Sequence, residues 1–84
     1  MVEKKILVKT NLEARSAALF VQLAGKFQSS TKIALGTKYS NCKSIMGMIS
    51  LGILEDSEVV ISAEGNDEEQ ALKELCAFLE AEKH

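Results

Sequence analysis

Between Asn41 and Gly52 the chain runs from a polar hinge straight into Ile45-Met46-Gly47-Met48-Ile49-Ser50-Leu51 and stops at a glycine. That apolar run is far below the roughly 20 residues that cross a bilayer, so it must pack as a brief helix against the rest of the chain. Ser44 stands where such a helix would begin. A hydroxyl there accepts a hydrogen bond from an amide two or three residues on that has no helical partner. The same amides and the positive helix end favour an anion, so a phosphate placed on Ser44 would be stabilised rather than repelled. So short a helix cannot bury Ile45, Met46, Met48 and Ile49 against one core. Some of them are expected outside, as an adaptable, methionine-bearing docking surface. Two uses stay open at this point: a capped core helix, or a modified docking site.

The 84 residues suit one domain, 1–84, that removes roughly 60–65% of its unfolded surface from water. With 46% hydrophobic and 26% charged residues the composition is that of an ordinary globular protein. A formal net charge of -2 gives no support to long-range attraction for nucleic-acid phosphates, and a basic partner or small anion fits better. Cys42 and Cys76 are far apart in sequence with no second pair or nearby histidine, which argues against zinc, a redox dithiol and a secreted disulfide framework. Buried free thiols are expected. The opening residues carry an apolar run too short for a signal peptide. A cytoplasmic address, with no membrane contact, follows by default.

Val2 to Lys9, with Ile6-Leu7-Val8 at its centre, reads as a strand, and Asn11 to Ser16 as a loop in which Ser16 can cap the following helix. From Ala17 to Phe27, the residues Ala17, Phe20, Val21, Ala24 and Phe27 recur at spacings of three and four, the pattern of one buried helical face. Leu19 and Leu23 fall off that stripe, as the flank of a wide core face or as an exposed patch. Lys32 to Leu35 and Lys38 to Cys42 form two strands joined at Gly36-Thr37, a hairpin whose first turn residue needs positive φ. Glu58 to Glu64 alternates most cleanly, with Val59, Ile61 and Ala63 on one face. Asp67 and Gln70 have capping-box spacing, and Ala71, Leu72, Leu75, Cys76, Phe78 and Leu79 form the apolar face of a last helix. The order is strand, helix, strand, strand, helix, strand, helix. Such a set closes as a two-layer α+β domain with three helices on one face of the sheet.

Little in this chain supports catalysis of its own. The one histidine is His84, the last residue, where nothing orients an imidazole. Neither cysteine has a histidine to activate it, and no phosphate-binding glycine loop or metal-ligand spacing occurs. No catalytic residue, metal or cofactor is therefore assigned. A small constellation remains in Glu13, Arg15 and Ser16, where Arg15 beside free helix amides would hold a phosphate or carboxylate, unless Glu13 occupies that place as an internal anion. A solvated Arg15 with at most a weak ion pair is the alternative.

Leu12-Glu-Ala-Arg-Ser-Ala-Ala18, then Lys43-Ser-Ile-Met-Gly-Met-Ile-Ser-Leu-Gly52, then Glu58 to Gly65 resemble HPr, the phosphocarrier of the bacterial phosphotransferase system, over essentially the whole chain. The resemblance implies an open-faced β-sandwich, βαββαβα, with a four-stranded antiparallel sheet. In that family the first motif carries a histidine that takes a phosphoryl group from phosphoenolpyruvate through enzyme I and passes it to sugar permease components. Here that position is Glu13, and the proline of the motif is Ser16. The family's second phosphorylation site matches Ser44; it is modified by an ATP-dependent HPr kinase/phosphorylase, and the product is corepressor to a LacI-type catabolite repressor. Loss of the histidine with retention of the serine is similar to the catabolite-repression branch of the family. That branch has glutamine where this chain has Glu13, and Ala17 to Gln22 resembles it in particular.

The resemblance implies a non-enzymatic regulatory protein phosphorylated on Ser44, whose partner surface comprises Arg15, Phe20, Lys43, Ile45, Met46 and Ile49 with Glu13 and Ser16 alongside. Two alternatives stand beside it: a phosphocarrier in sugar transport, and an unmodified pseudo-carrier competing for enzyme I or the kinase.

Overall fold

The computed structural model describes residues 1–81; the terminal His84 lies outside the described residues. Seven elements follow in the expected order: β1 (Val2–Leu7), α1 (Ala14–Ala24), β2 (Ser30–Leu35), β3 (Lys38–Asn41), α2 (Ile45–Leu51), β4 (Glu58–Glu64) and α3 (Glu68–Glu80). The strands make one antiparallel sheet in the order β1-β4-β2-β3. Strand β4 is central because it can be apolar on one face and tolerably small on the other. Val59, Ile61 and Ala63 are buried beneath the helices, while Val60 and Ser62 face the open side.

Helices α1 and α3 supply matching stripes to this face. Ala17, Phe20 and Ala24 from α1 meet Leu75, Cys76 and Leu79 from α3 over Ile6, Ile33, Val59 and Ile61. Phe20 and Phe78 pack with tilted rings, centroids 5.5 Å apart, a favoured arrangement for aromatic pairs. Both cysteines are buried free thiols. Desolvation pushes the Cys42 thiol up to about 12, the neighbouring Thr31 hydroxyl pulling weakly the other way, and burial raises Cys76 as well.

Element ends differ from expectation for identifiable reasons. β1 stops at Leu7 because the next two amides leave the sheet, Val8 N–H donating to the Ser57 carbonyl and Lys9 N–H to that of Leu79, each at 2.8 Å. Helix α1 begins at Ala14 and ends at Ala24, so Phe27 lies beyond it, half-buried, in a tightened turn closed by its N–H on the Ala24 carbonyl. β2 starts two residues early, at Ser30, by pairing with Glu64. Leu35 and Lys38 face each other across the two-residue turn, and Gly36 has the positive φ, 62°, that it requires.

The capping box expected at Asp67 is absent. Asp67 is the first residue of the turn into α3, but its carboxylate makes no bond to that helix. It accepts instead from the Gln28 and Ser29 amides at 3.0 Å and from the Ser29 hydroxyl, while Gln70 donates to Glu74. Gly65 makes that tie possible: its φ is 149°, and a Cβ there would lie 2.7 Å from the Ser29 Cα. The loop before β2 is thereby pinned to the start of α3.

Candidate functional site

Two helix starts contain the residues of interest. At α2 the hinge is built from Asn41, whose side-chain oxygen accepts from the Lys43 amide at 2.8 Å and whose carbonyl accepts from the Ser44 amide at 3.0 Å. This turn sets Ser44 in extended conformation at the N-cap. There its Oγ accepts from the Gly47 amide at 3.1 Å, as expected from the sequence. Ser44 is half-buried.

Beyond the cap the helix divides its apolar side chains. Met48 and Leu51 are buried, whereas Met46 is 71% exposed and Ile45 and Ile49 are 40% and 44% exposed. Leu19 on α1, which packs beside α2, and Leu54 just past α2 are exposed too. Leu54 escaped the sequence reading. The signal for it was the adjacent pair Ile53-Leu54, since in an extended segment only one of two neighbours can point inward, and Ile53 is the one fully buried. Of the off-stripe leucines, Leu23 packs against the core and Leu19 does not.

Three of the expected contact residues are placed differently. Phe20 is 0% exposed, at the centre of the core against Phe78, and is no surface residue; helical spacing put it on the apolar stripe, and the stripe is what the core took. Lys43 spends its ammonium on the Phe27 carbonyl at 2.8 Å, joining the hinge to the end of α1. Ser16 is not a cap in front of a helix. It lies in the first turn, where its Oγ accepts from the Glu13 amide at 3.0 Å and its hydroxyl donates to the Asn11 carbonyl at 3.0 Å.

The N-cap of α1 is Glu13, paired with Ser16 in a capping box in which the Glu13 side chain faces the Ser16 amide and the Ser16 hydroxyl accepts from the Glu13 amide. Its loop is fixed from behind by Leu12 N–H to the Ile53 carbonyl at 2.9 Å and by the Asn11 side chain accepting from the Glu55 amide at 2.6 Å. Glu13 and Arg15 are both exposed, and neither forms an ion pair among the described residues. A carboxylate thus takes the place that free amides would offer an external anion.

Fold, hinge and altered loop together define a small phosphotransferase-type carrier or regulator, and the chain belongs to the HPr family: the description "PTS HPr component phosphorylation site" matches residues 2–81. More particularly, it is 50% identical to the HPr-like protein Crh of Halalkalibacterium halodurans, over 98% of this chain and all of that one. Identity to the Crh of Bacillus subtilis is 45%, over 98% and 99% of the two chains. In three dimensions it is similar to HPr-C-His from Thermoanaerobacter tengcongensis, with a TM-score of 0.91 at 48% identity, covering 98% of this chain and 94% of that one.

Proposed function

We propose that this is a cytoplasmic, non-enzymatic regulator of carbon catabolite control, switched by an HPr kinase/phosphorylase at Ser44 and docking in its phosphorylated form on a LacI-type repressor. The observation that carries the reading is the contrast within one surface: a half-buried serine hydroxyl directly before exposed Ile45, Met46 and Ile49, and a carboxylate where an imidazole would carry phosphate. In the modification Ser44 Oγ bonds to the γ-phosphorus of ATP, the bond from that phosphorus to ADP breaks, and the hydroxyl proton passes to a base of the kinase. About -1.5 to -2 charge then stands beside three apolar contact residues, without any need for refolding. Arg15 adds an exposed cation for the partner.

Incubation with ATP and an HPr kinase should add one phosphate, read by mass spectrometry, that is lost in Ser44→Ala. An unshifted mass in the wild-type chain would remove this reading. Phosphoenolpyruvate with enzyme I should leave the chain unlabelled, and labelling would establish a carrier instead.

A second reading is favoured by the exposed Glu13 carboxylate fixed at the start of α1. In it the chain occupies enzyme I or the kinase as an unmodified competitor. Inhibition of HPr phosphorylation without incorporation of phosphate would select it.

A further inference from the structure

Helix α2 approaches β3 so closely at Gly47 that a side chain there would have to displace the Ser40 hydroxyl. A Cβ there would lie 1.9 Å from Ser40 Oγ and 3.2 Å from Ser44 Oγ, so both hydroxyl oxygens crowd the place of a Gly47 side chain and lie near each other. They are not equally engaged. Ser44 Oγ accepts from the Gly47 amide, whereas the Ser40 hydroxyl makes only a 3.3 Å contact with the carbonyl of its own neighbour, Asn41. The ammonium nearest in sequence, that of Lys43, is committed to Phe27. Ser40 is half-buried on the helix side of β3, opposite Ile33, and its outer side opens on a groove shared with Ser50.

We infer that Ser40 is a positioning residue for the phosphoryl group on Ser44, its hydroxyl, which occupies the place of a Gly47 side chain, donating to a phosphate oxygen. The inference rests on phosphorylation of Ser44 as proposed above. The hydroxyl exchanges a long bond to a neutral carbonyl for a charge-assisted one to an anion, which is about twice as strong. The phosphate is then held along the α2 surface, next to Ile45 and Met46.

The test installs phosphoserine at position 44 of the full chain by chemical synthesis, so that it does not depend on a kinase, and follows release of phosphate by alkaline phosphatase. Ser40→Ala should lose phosphate about tenfold faster than the wild-type background, the factor expected for one lost charge-assisted hydrogen bond. Ser40→Thr should restore the slow rate, and Ser50→Ala, which removes a hydroxyl from the same groove, should leave it unchanged. Equal rates for Ser40→Ala and wild type, or equal acceleration by Ser50→Ala, would overturn the inference. A kinase that ignores Ser44 would sink the functional reading while leaving these rates to decide the geometry.

Discussion

The starts of α1 and α2 are the same local structure put to opposite uses. Each begins with a polar side chain at the N-cap, follows a turn pinned by an asparagine, and lies against the other helix. At α1 the cap is Glu13, which brings its own negative charge to the positive helix end, and Asn11 and Ser16 lock the loop with bonds of 2.6 to 3.0 Å. At α2 the cap is a neutral hydroxyl, and the side chains that follow are turned to solvent. An anion is thus built into the first helix start, and on the proposed function one is added at the second. A helix start that supplies its own charge is constant, and one that waits for charge can be switched.

The largest effect expected on stability separates the two kinds of methionine in α2. Met48→Ala should cost about 2–5 kcal/mol, because Met48 is fully buried and leaves a cavity. Met46→Ala should stay within about 0.5 kcal/mol yet weaken repressor binding by the phosphorylated chain. Urea unfolding and a binding titration of both variants check the pair. If Met46→Ala binds like wild type, the exposed side of α2 is not the contact surface.

Removal of the caps comes next. Ser44→Ala should lower stability by about 1 kcal/mol, the usual value of a hydroxyl cap, beyond abolishing modification. Glu13→Gln should cost less, about 0.3–1 kcal/mol, through the helix dipole, and 1 M salt should erase most of that difference. If Glu13→Gln were the more damaging of the two, the constant charge at α1 would be the structural keystone and Ser44 the incidental residue.

Much of this was legible in the chain. The alternation of Val59, Ile61 and Ala63 and the stripe of Leu72, Leu75, Cys76 and Leu79 repeat with the periods of the structures they form, and the order of elements followed from them. Ser44 was legible because a cap bonds to an amide three residues away. Phe20 was misplaced for the reason the fold was found: a core residue and a docking residue on one helix share the same spacing, and only the packing of Phe78 tells them apart. Lys43 and Asp67 were beyond reach because their partners, Phe27 and Ser29, are 16 and 38 residues distant. The exposed groups Arg15 and Met46 could be named from the pattern, but the sheet decides which way they point.

A third helix start gives the comparison its finest test. Asp67 begins α3 as Glu13 begins α1, yet its carboxylate turns away from its own helix to hold the Ser29 hydroxyl and the amides of Gln28 and Ser29. These bonds, the Ser29 hydroxyl foremost, lower its pKa below the ordinary 3.8. A group whose folded pKa is depressed contributes stability that is fully present above the unfolded value and lost as pH falls through the folded one. Acidification from neutrality should therefore leave Asp67's contribution intact down to about pH 4 and remove it below that. Glu68 has its pKa lowered too, by the Gly65 amide, so wild type alone cannot separate the two. The difference between wild type and Asp67→Asn in thermal unfolding can: it should be constant above pH 5 and shrink toward pH 2 as the wild-type carboxylate takes up its proton. A difference that grows on acidification would mean that the folded chain does not favour the charged carboxylate, and that the loop before β2 is held by something other than these bonds.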